Sequence, residues 1–157
     1  MAMIAPFHDP VAARIADFLT GIGLTVRAGV VPDRTILPGL YLENGGLVVD
    51  EVRLLYPGDL LHEAGHLAVT PAAARPSLTG DTGGDGGEEI AAIGWSYAAA
   101  LHLNLDPAVV FHSAGYREGS AALLENFRER RYLGLPYLQW IGLTDARYPA
   151  MIRWLRD

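Results

Sequence analysis

The stretch 60–69, Leu-Leu-His-Glu-Ala-Gly-His-Leu-Ala-Val, decides the fold, because it combines a helical pattern with the motif His62-Glu63-x-x-His66. Apolar residues flank the motif on both sides, and Pro71 follows, so we predict a helix that ends just before this proline. On a helix, residues four apart share one face, with their Cβ atoms about 5–6 Å apart. His62 and His66 are therefore predicted to converge on one metal ion.

The motif also carries a candidate base. Neutral imidazole is a good zinc ligand. Glu63 follows His62 by one residue, so its side chain points away from the face that His62 and His66 share. It is poorly placed as a ligand but can reach a zinc-bound water and take its proton. The composition of the chain would produce H-E-x-x-H by chance about 0.008 times. The simpler alternative is that the two histidines only pack or form hydrogen bonds.

A third protein ligand must come from outside this helix. The longer pattern H-E-x-x-H-x-x-G-x-x-H fails, because its later positions are Val69 and Ala72. Glu88 and Glu89 open the next predicted helix, and one of them turning towards a cation would explain two acids at the start of an apolar helix. Alternatively, both acids are solvated and favoured by the helix dipole. We favour Glu89 on helical spacing and keep Glu88 as the alternative.

Composition excludes most other chemistries. The chain has 157 residues, half of them apolar, which suits one domain, 1–157. It has no cysteine, and all 12 basic residues are arginine, so thiol catalysis, cysteine-ligated metals and Schiff-base lysines are excluded. A zinc ion would need histidine and carboxylate ligands, the set of a hydrolytic rather than a finger-type site.

Charge and hydropathy limit the partners that we expect. The net charge of −6 comes without any basic run, so nucleic acid is not an expected partner. The longest apolar run, 90–101, has 12 residues and is too short for a bilayer, and the N-terminus lacks a basic signal-peptide region. We expect a cytoplasmic protein without a membrane partner. The apolar helices and the tail residues Trp140 and Trp154 are compatible with a homodimer.

The order of the predicted elements indicates an α+β fold, in which a small antiparallel hairpin or sheet packs on the motif helix together with further helices. Asn44-Gly45 favours a tight turn inside a hairpin over 39–52. A glycine-rich loop over 71–87 separates the motif helix from the next helix, which begins at Asp85 or Gly87. The other predicted elements are a first helix over 10–20, a strand over 24–28, a short helix over 107–111, a helix over 120–131, and helical pieces over 136–143 and 149–156.

The H-E-x-x-H motif followed by Glu89 on the next helix resembles the gluzincin metallopeptidases, including their compact ImmA/IrrE-type members, over residues 39–103. The resemblance implies a zincin-like fold, in which an edge strand from 39–52 lies beside the active-site helix and aligns the substrate backbone. Many gluzincins carry an acid four residues after the glutamate ligand, but Ile93 stands there, or Ala92 if Glu88 is the ligand. The group that orients a ligand histidine would instead come from a backbone carbonyl or from one of three acids: Asp59, Asp106 or the other glutamate.

The predicted ligands and Glu63 lead to two competing hypotheses about function. The first is a zinc-dependent hydrolase, most simply a metallopeptidase acting on a peptide or protein, with Glu63 as the base and the loop 71–87 gating or binding substrate. His112 or Tyr116 would stabilise the oxyanion, although a packed histidine and a loop tyrosine are the simpler alternatives. The second is a catalytically inactive zinc-binding interaction or regulatory domain. A fourth protein ligand would favour the second.

Overall fold

The protein is described here by a computed structural model of residues 7–80, 86–116 and 119–157, within which five helices and a three-stranded mixed sheet form an α+β arrangement. The predicted α+β class is therefore confirmed. The helices are α1 (Pro10–Gly21), α2 (Asp59–Val69), α3 (Gly86–His102), α4 (Ser120–Arg128) and α5 (Leu135–Trp140). The strands are β1 (Val26–Ala28), β2 (Leu40–Glu43) and β3 (Gly46–Val49), and two short 3-10 helices span Arg75–Ser77 and Pro107–Val109.

The predicted hairpin is present as β2 and β3. Glu43 lies opposite Gly46, and the two residues between them, Asn44 and Gly45, have φ angles of 51° and 78°, as a two-residue hairpin turn requires. The expected sheet was antiparallel, whereas the observed sheet is mixed, because β1 runs parallel to β3 on its other side. The strand order β1-β3-β2 leaves β2 at one edge of the sheet.

The outer edge of β2 is already bonded within the chain. Leu42 forms two backbone hydrogen bonds with Gly80, of 3.1 and 2.8 Å, and the amide of Leu40 donates to the carbonyl of Leu37 at 3.2 Å. The resemblance implied that this strand would align a substrate backbone. The outward amides of Leu40 and Leu42 instead donate hydrogen bonds to carbonyls of this chain, so they are not free to bind a substrate backbone.

Helices α2 and α3 form the most extensive contact between elements and position the candidate site. All of α2 is buried except His62, which is partly buried. A Cβ at Gly65 would lie 2.8 Å from the carbonyl oxygen of Ala92, so only glycine allows the two backbones to approach this closely. This close packing brings the first turns of α3 beside the motif.

Several predicted boundaries are confirmed, and others shift. Helix α1 begins where expected, with the carboxylate of Asp9 accepting a 2.8 Å hydrogen bond from the amide of Ala12. Helix α4 ends at Arg128 rather than 131, because the chain turns into a left-handed conformation at Arg130, with φ of 61°. Part of the predicted loop 71–87, including Asp81 and Asp85, lies outside the described residues.

The tail 149–156 was predicted to be helical, and that prediction is wrong. Met151 forms a β-bridge with Thr144, and the amide of Arg156 donates to the carbonyl of Ala68 at 2.9 Å. The Arg75 guanidinium bonds the same region, donating to the carbonyl of Arg156 at 2.6 Å. Backbone groups that a helix would pair locally are thus bonded across the fold. Among the described helices, none has the length and apolar character to cross a membrane.

Candidate metal centre

Helices α2 and α3 bring His62, His66 and Glu89 together. The Nε2 atom of His66 lies 2.7 Å from Oε2 of Glu89, and the Nε2 atom of His62 lies 3.5 Å from Oε1 of the same carboxylate. Potential ligand atoms of these three residues all lie within 4.8 Å of one another. The structure therefore places Glu89, and not Glu88, in this cluster, as the helical spacing favoured.

The electrostatics of the cluster suit a cation. Burial, reinforced by the neighbouring His66, lowers the pKa of His62 to about 4, so this imidazole is neutral near pH 7. The hydrogen bond from His66 lowers the pKa of Glu89, which keeps its carboxylate ionised. Two imidazole nitrogens and one carboxylate form a donor set that zinc accepts, and so these residues fit a metal ion.

The second ring nitrogen of His62 meets a tyrosine. The hydroxyl oxygen of Tyr116 lies 2.7 Å from Nδ1 of His62, and the two rings meet edge to face with centroids 5.1 Å apart. Burial raises the pKa of Tyr116 and keeps the phenol protonated, although a hydrogen bond with Ser96 opposes this shift. The partner of a candidate ligand histidine is thus a residue that sequence reasoning assigned to oxyanion stabilisation. That catalytic role stays a prediction.

A second histidine lies in the wall of the same site. The Nε2 atom of His112 is 2.7 Å from Oδ1 of Asp59, and Tyr56 stacks on its ring with centroids 3.9 Å apart. Asp59 Oδ2 and His112 Nδ1 are both buried without a hydrogen-bond partner in the structure. Burial raises the pKa of Asp59, against the opposing effect of its bond to His112. Asp59 therefore pairs with His112 and does not orient a candidate ligand, and the role of His112 towards an oxyanion stays a prediction.

A cavity of about 480 Å³ opens beside the cluster. Its apolar wall comes mainly from the segment 36–38 and from Tyr56, and Ile36 at its rim is 71% exposed. A second depression, of about 540 Å³, shares Pro38 with the first. The polar lining consists of Asp59, His62, Glu89, His112 and Tyr116. No sequence pattern singled out the segment 36–38 or Tyr56, because loop residues without periodicity carry no signal of their distant neighbours.

Glu63 belongs to the motif helix, whereas His102 lies outside the site. Glu63 is buried on α2, one position after His62, and its role as a base stays a prediction. His102 ends α3, about 20 Å along the helix axis from Glu89, and packs against aromatic rings.

The chain matches no protein-family model, no curated protein and no solved structure. The resemblance to the gluzincins therefore rests on the H-x-x-x-H spacing and on the cluster of His62, His66 and Glu89.

Proposed function

We propose that this protein is a zinc-dependent hydrolase that cleaves peptide bonds in a peptide or protein substrate. The observation that carries the proposal is the convergence of His62, His66 and Glu89 on one point, from two helices, beside a cavity. The intervening Glu63 completes a set of residues that zinc hydrolases use.

Each residue would have one role. His62, His66 and Glu89 would hold the ion, which when bound would lower the pKa of a water molecule and polarise the scissile carbonyl. Glu63 would take a proton from the attacking water and return it to the leaving amine. The neutral state of His62 and the ionised state of Glu89 are the protonation states that ligation needs.

Three donors, not four, favour an enzyme over an inactive zinc domain. Within the described ranges, the cluster contains three ligand side chains, and His112 is bonded to Asp59 instead of joining them. Structural zinc sites have four protein ligands, whereas catalytic sites keep one position open. His62 and Glu89 line the cavity, so a substrate bound there would lie against the cluster.

The walls of the cavity favour a substrate with an apolar side chain. A volume of about 480 Å³ is in the range that holds a small ligand or a side chain with its flanking backbone. The segment 36–38 and Tyr56 would contact apolar groups, while the outer amides of Leu40 and Leu42 are not available to bind a peptide backbone.

Glu63→Gln tests the proposal. We expect this variant to keep zinc, because Glu63 is not a ligand, and to lose hydrolysis of an apolar peptide library by about 100- to 10,000-fold, because the base is gone. Zinc content and peptide cleavage are both measured, with Glu125→Gln on the exposed face of α4 as the matched control. Zinc-loaded wild type that cleaves no peptide would favour the inactive domain, and hydrolysis that survives in Glu63→Gln would contradict the assigned base.

A further inference from the structure

We infer that Tyr116 is the positioning residue of the metal site: its hydroxyl holds His62 with Nδ1 protonated and Nε2 free to bind the ion. This inference rests on the proposed function, because it assumes that the cluster holds zinc. It gives Tyr116, at His62, an orienting role that the sequence left open; Asp59 is bonded to His112, and Asp106 accepts from the amide of Ala108.

The two nitrogens of His62 face different partners. Nε2 lies 3.5 Å from Glu89, within the cluster, and Nδ1 lies 2.7 Å from the hydroxyl of Tyr116. A ligating histidine normally uses its other nitrogen to bond an outer group, which fixes both the tautomer and the ring orientation. The distance at Nδ1 is that of a good hydrogen bond.

The proton of His62 decides the direction of that hydrogen bond. A neutral imidazole carries one ring proton, and Nε2 can bind the ion only through its lone pair. The proton then lies on Nδ1, which donates it to the hydroxyl oxygen of Tyr116 at 2.7 Å. The opposite direction would leave the proton on Nε2 and block ligation.

The backbone of Tyr116 supplies a second, independent observation. Its φ angle is 55°, a left-handed conformation that is uncommon for a bulky residue. Such conformations persist where the surroundings enforce them, and they cluster at functional sites. The ring packs against Phe111 with centroids 5.4 Å apart, and the turn is bonded through the hydroxyl of Ser120 to the carbonyl of Gly115. The loop thus holds a strained backbone at the residue whose hydroxyl meets His62.

Tyr116→Phe tests this assignment, because it keeps the ring and removes only the hydroxyl. We expect zinc affinity, measured by competition with a chelator of known strength, to fall about 10- to 100-fold. The visible absorption of the cobalt-loaded variant should also shift, because the orientation of His62 is no longer fixed. Tyr41→Phe on β2 is the matched control and should leave the zinc affinity and the cobalt spectrum unchanged.

The outcomes separate the two proposals. Wild type that binds zinc, with equal affinity and the same cobalt spectrum in Tyr116→Phe, overturns the positioning role and leaves the proposed function standing. Loss of hydrolysis in Tyr116→Phe with unchanged zinc affinity also overturns it, and would place the phenol on the substrate. Wild type that binds no zinc overturns both proposals.

Discussion

The two ends of helix α3 place histidines in opposite settings. At its start, Glu89 meets the imidazoles of His62 and His66, with a closest distance of 2.7 Å. At its end, His102 packs against Phe18 and Trp154, with ring centroids 5.4 and 5.2 Å away. The same side chain is a candidate ligand in one place and a packing group in the other. The difference lies in the carboxylate and the hydroxyl directed at the ring nitrogens.

The two ends also differ in whether their buried polar atoms have hydrogen-bond partners. At the aromatic end, the indole nitrogen of the fully buried Trp95 donates to the carbonyl of Trp154 at 2.9 Å. At the site end, Asp59 and His112 each keep a buried polar atom without a hydrogen-bond partner in the structure. Unpaired buried polar groups cost stability, whereas paired aromatic groups add to it. We therefore expect the aromatic end to serve stability and the site end to serve function.

Two substitutions, Gly65→Ala and His102→Ala, test this difference between the two ends of α3. Gly65→Ala should have the larger effect on stability. The new methyl group would lie 2.8 Å from the carbonyl oxygen of Ala92, so α2 and α3 must move apart. Because the obstacle is backbone, we expect the clash to cost the upper part of the usual range, about 2–3 kcal/mol. Alanine gains roughly 1 kcal/mol over glycine in a helix, so the net loss of unfolding free energy in urea should be about 1–2 kcal/mol. Zinc affinity should fall as well, because Glu89 moves away from His66.

Gly21→Ala is the control for this substitution. Gly21 ends α1, and no atom lies within 4 Å of the position of its Cβ. We expect a stability change below about 1 kcal/mol, in the stabilising direction, and unchanged zinc affinity. A Gly65→Ala protein as stable as wild type would show that the close approach of α2 and α3 is not required.

His102→Ala should have the smaller effect, confined to stability. Removing the ring deletes its contacts with Phe18 and Trp154, which we expect to cost about 1 kcal/mol in urea unfolding of the metal-free protein. Zinc affinity should not change, because His102 lies at the far end of α3 from Glu89. A loss of zinc affinity in this variant would remove the distinction between the two ends.

Local patterns were enough to predict the parts that depend on near neighbours. The helix around His62 and His66, the turn at Asn44-Gly45 and the start of α3 each follow from residues a few positions apart. Glu89 could be preferred over Glu88 for the same reason, since helical spacing fixes which face an acid shares with the core. The α+β class then followed from the order of the elements.

The rest depends on contacts between distant positions. Tyr116 meets His62 across 54 positions, and His112 meets Asp59 across 53. Nothing in the spacing of a loop specifies such pairs. The sequence therefore identified Tyr116 and His112 as site residues but could not predict that they contact His62 and Asp59. The tail 149–156 was mistaken for a helix for the same reason, because its backbone partners, such as Ala68, lie far away in the chain.

Metal content is the measurement that tests the central claim most directly. Purified wild type, Glu89→Ala and His102→Ala are dialysed against buffered zinc at physiological free concentration, and bound zinc is counted by mass spectrometry. We predict about one zinc per chain in wild type and in His102→Ala, and none in Glu89→Ala, because Glu89 belongs to the cluster and His102 does not. Wild type without bound zinc, or Glu89→Ala with its full complement, would contradict the assignment of this site.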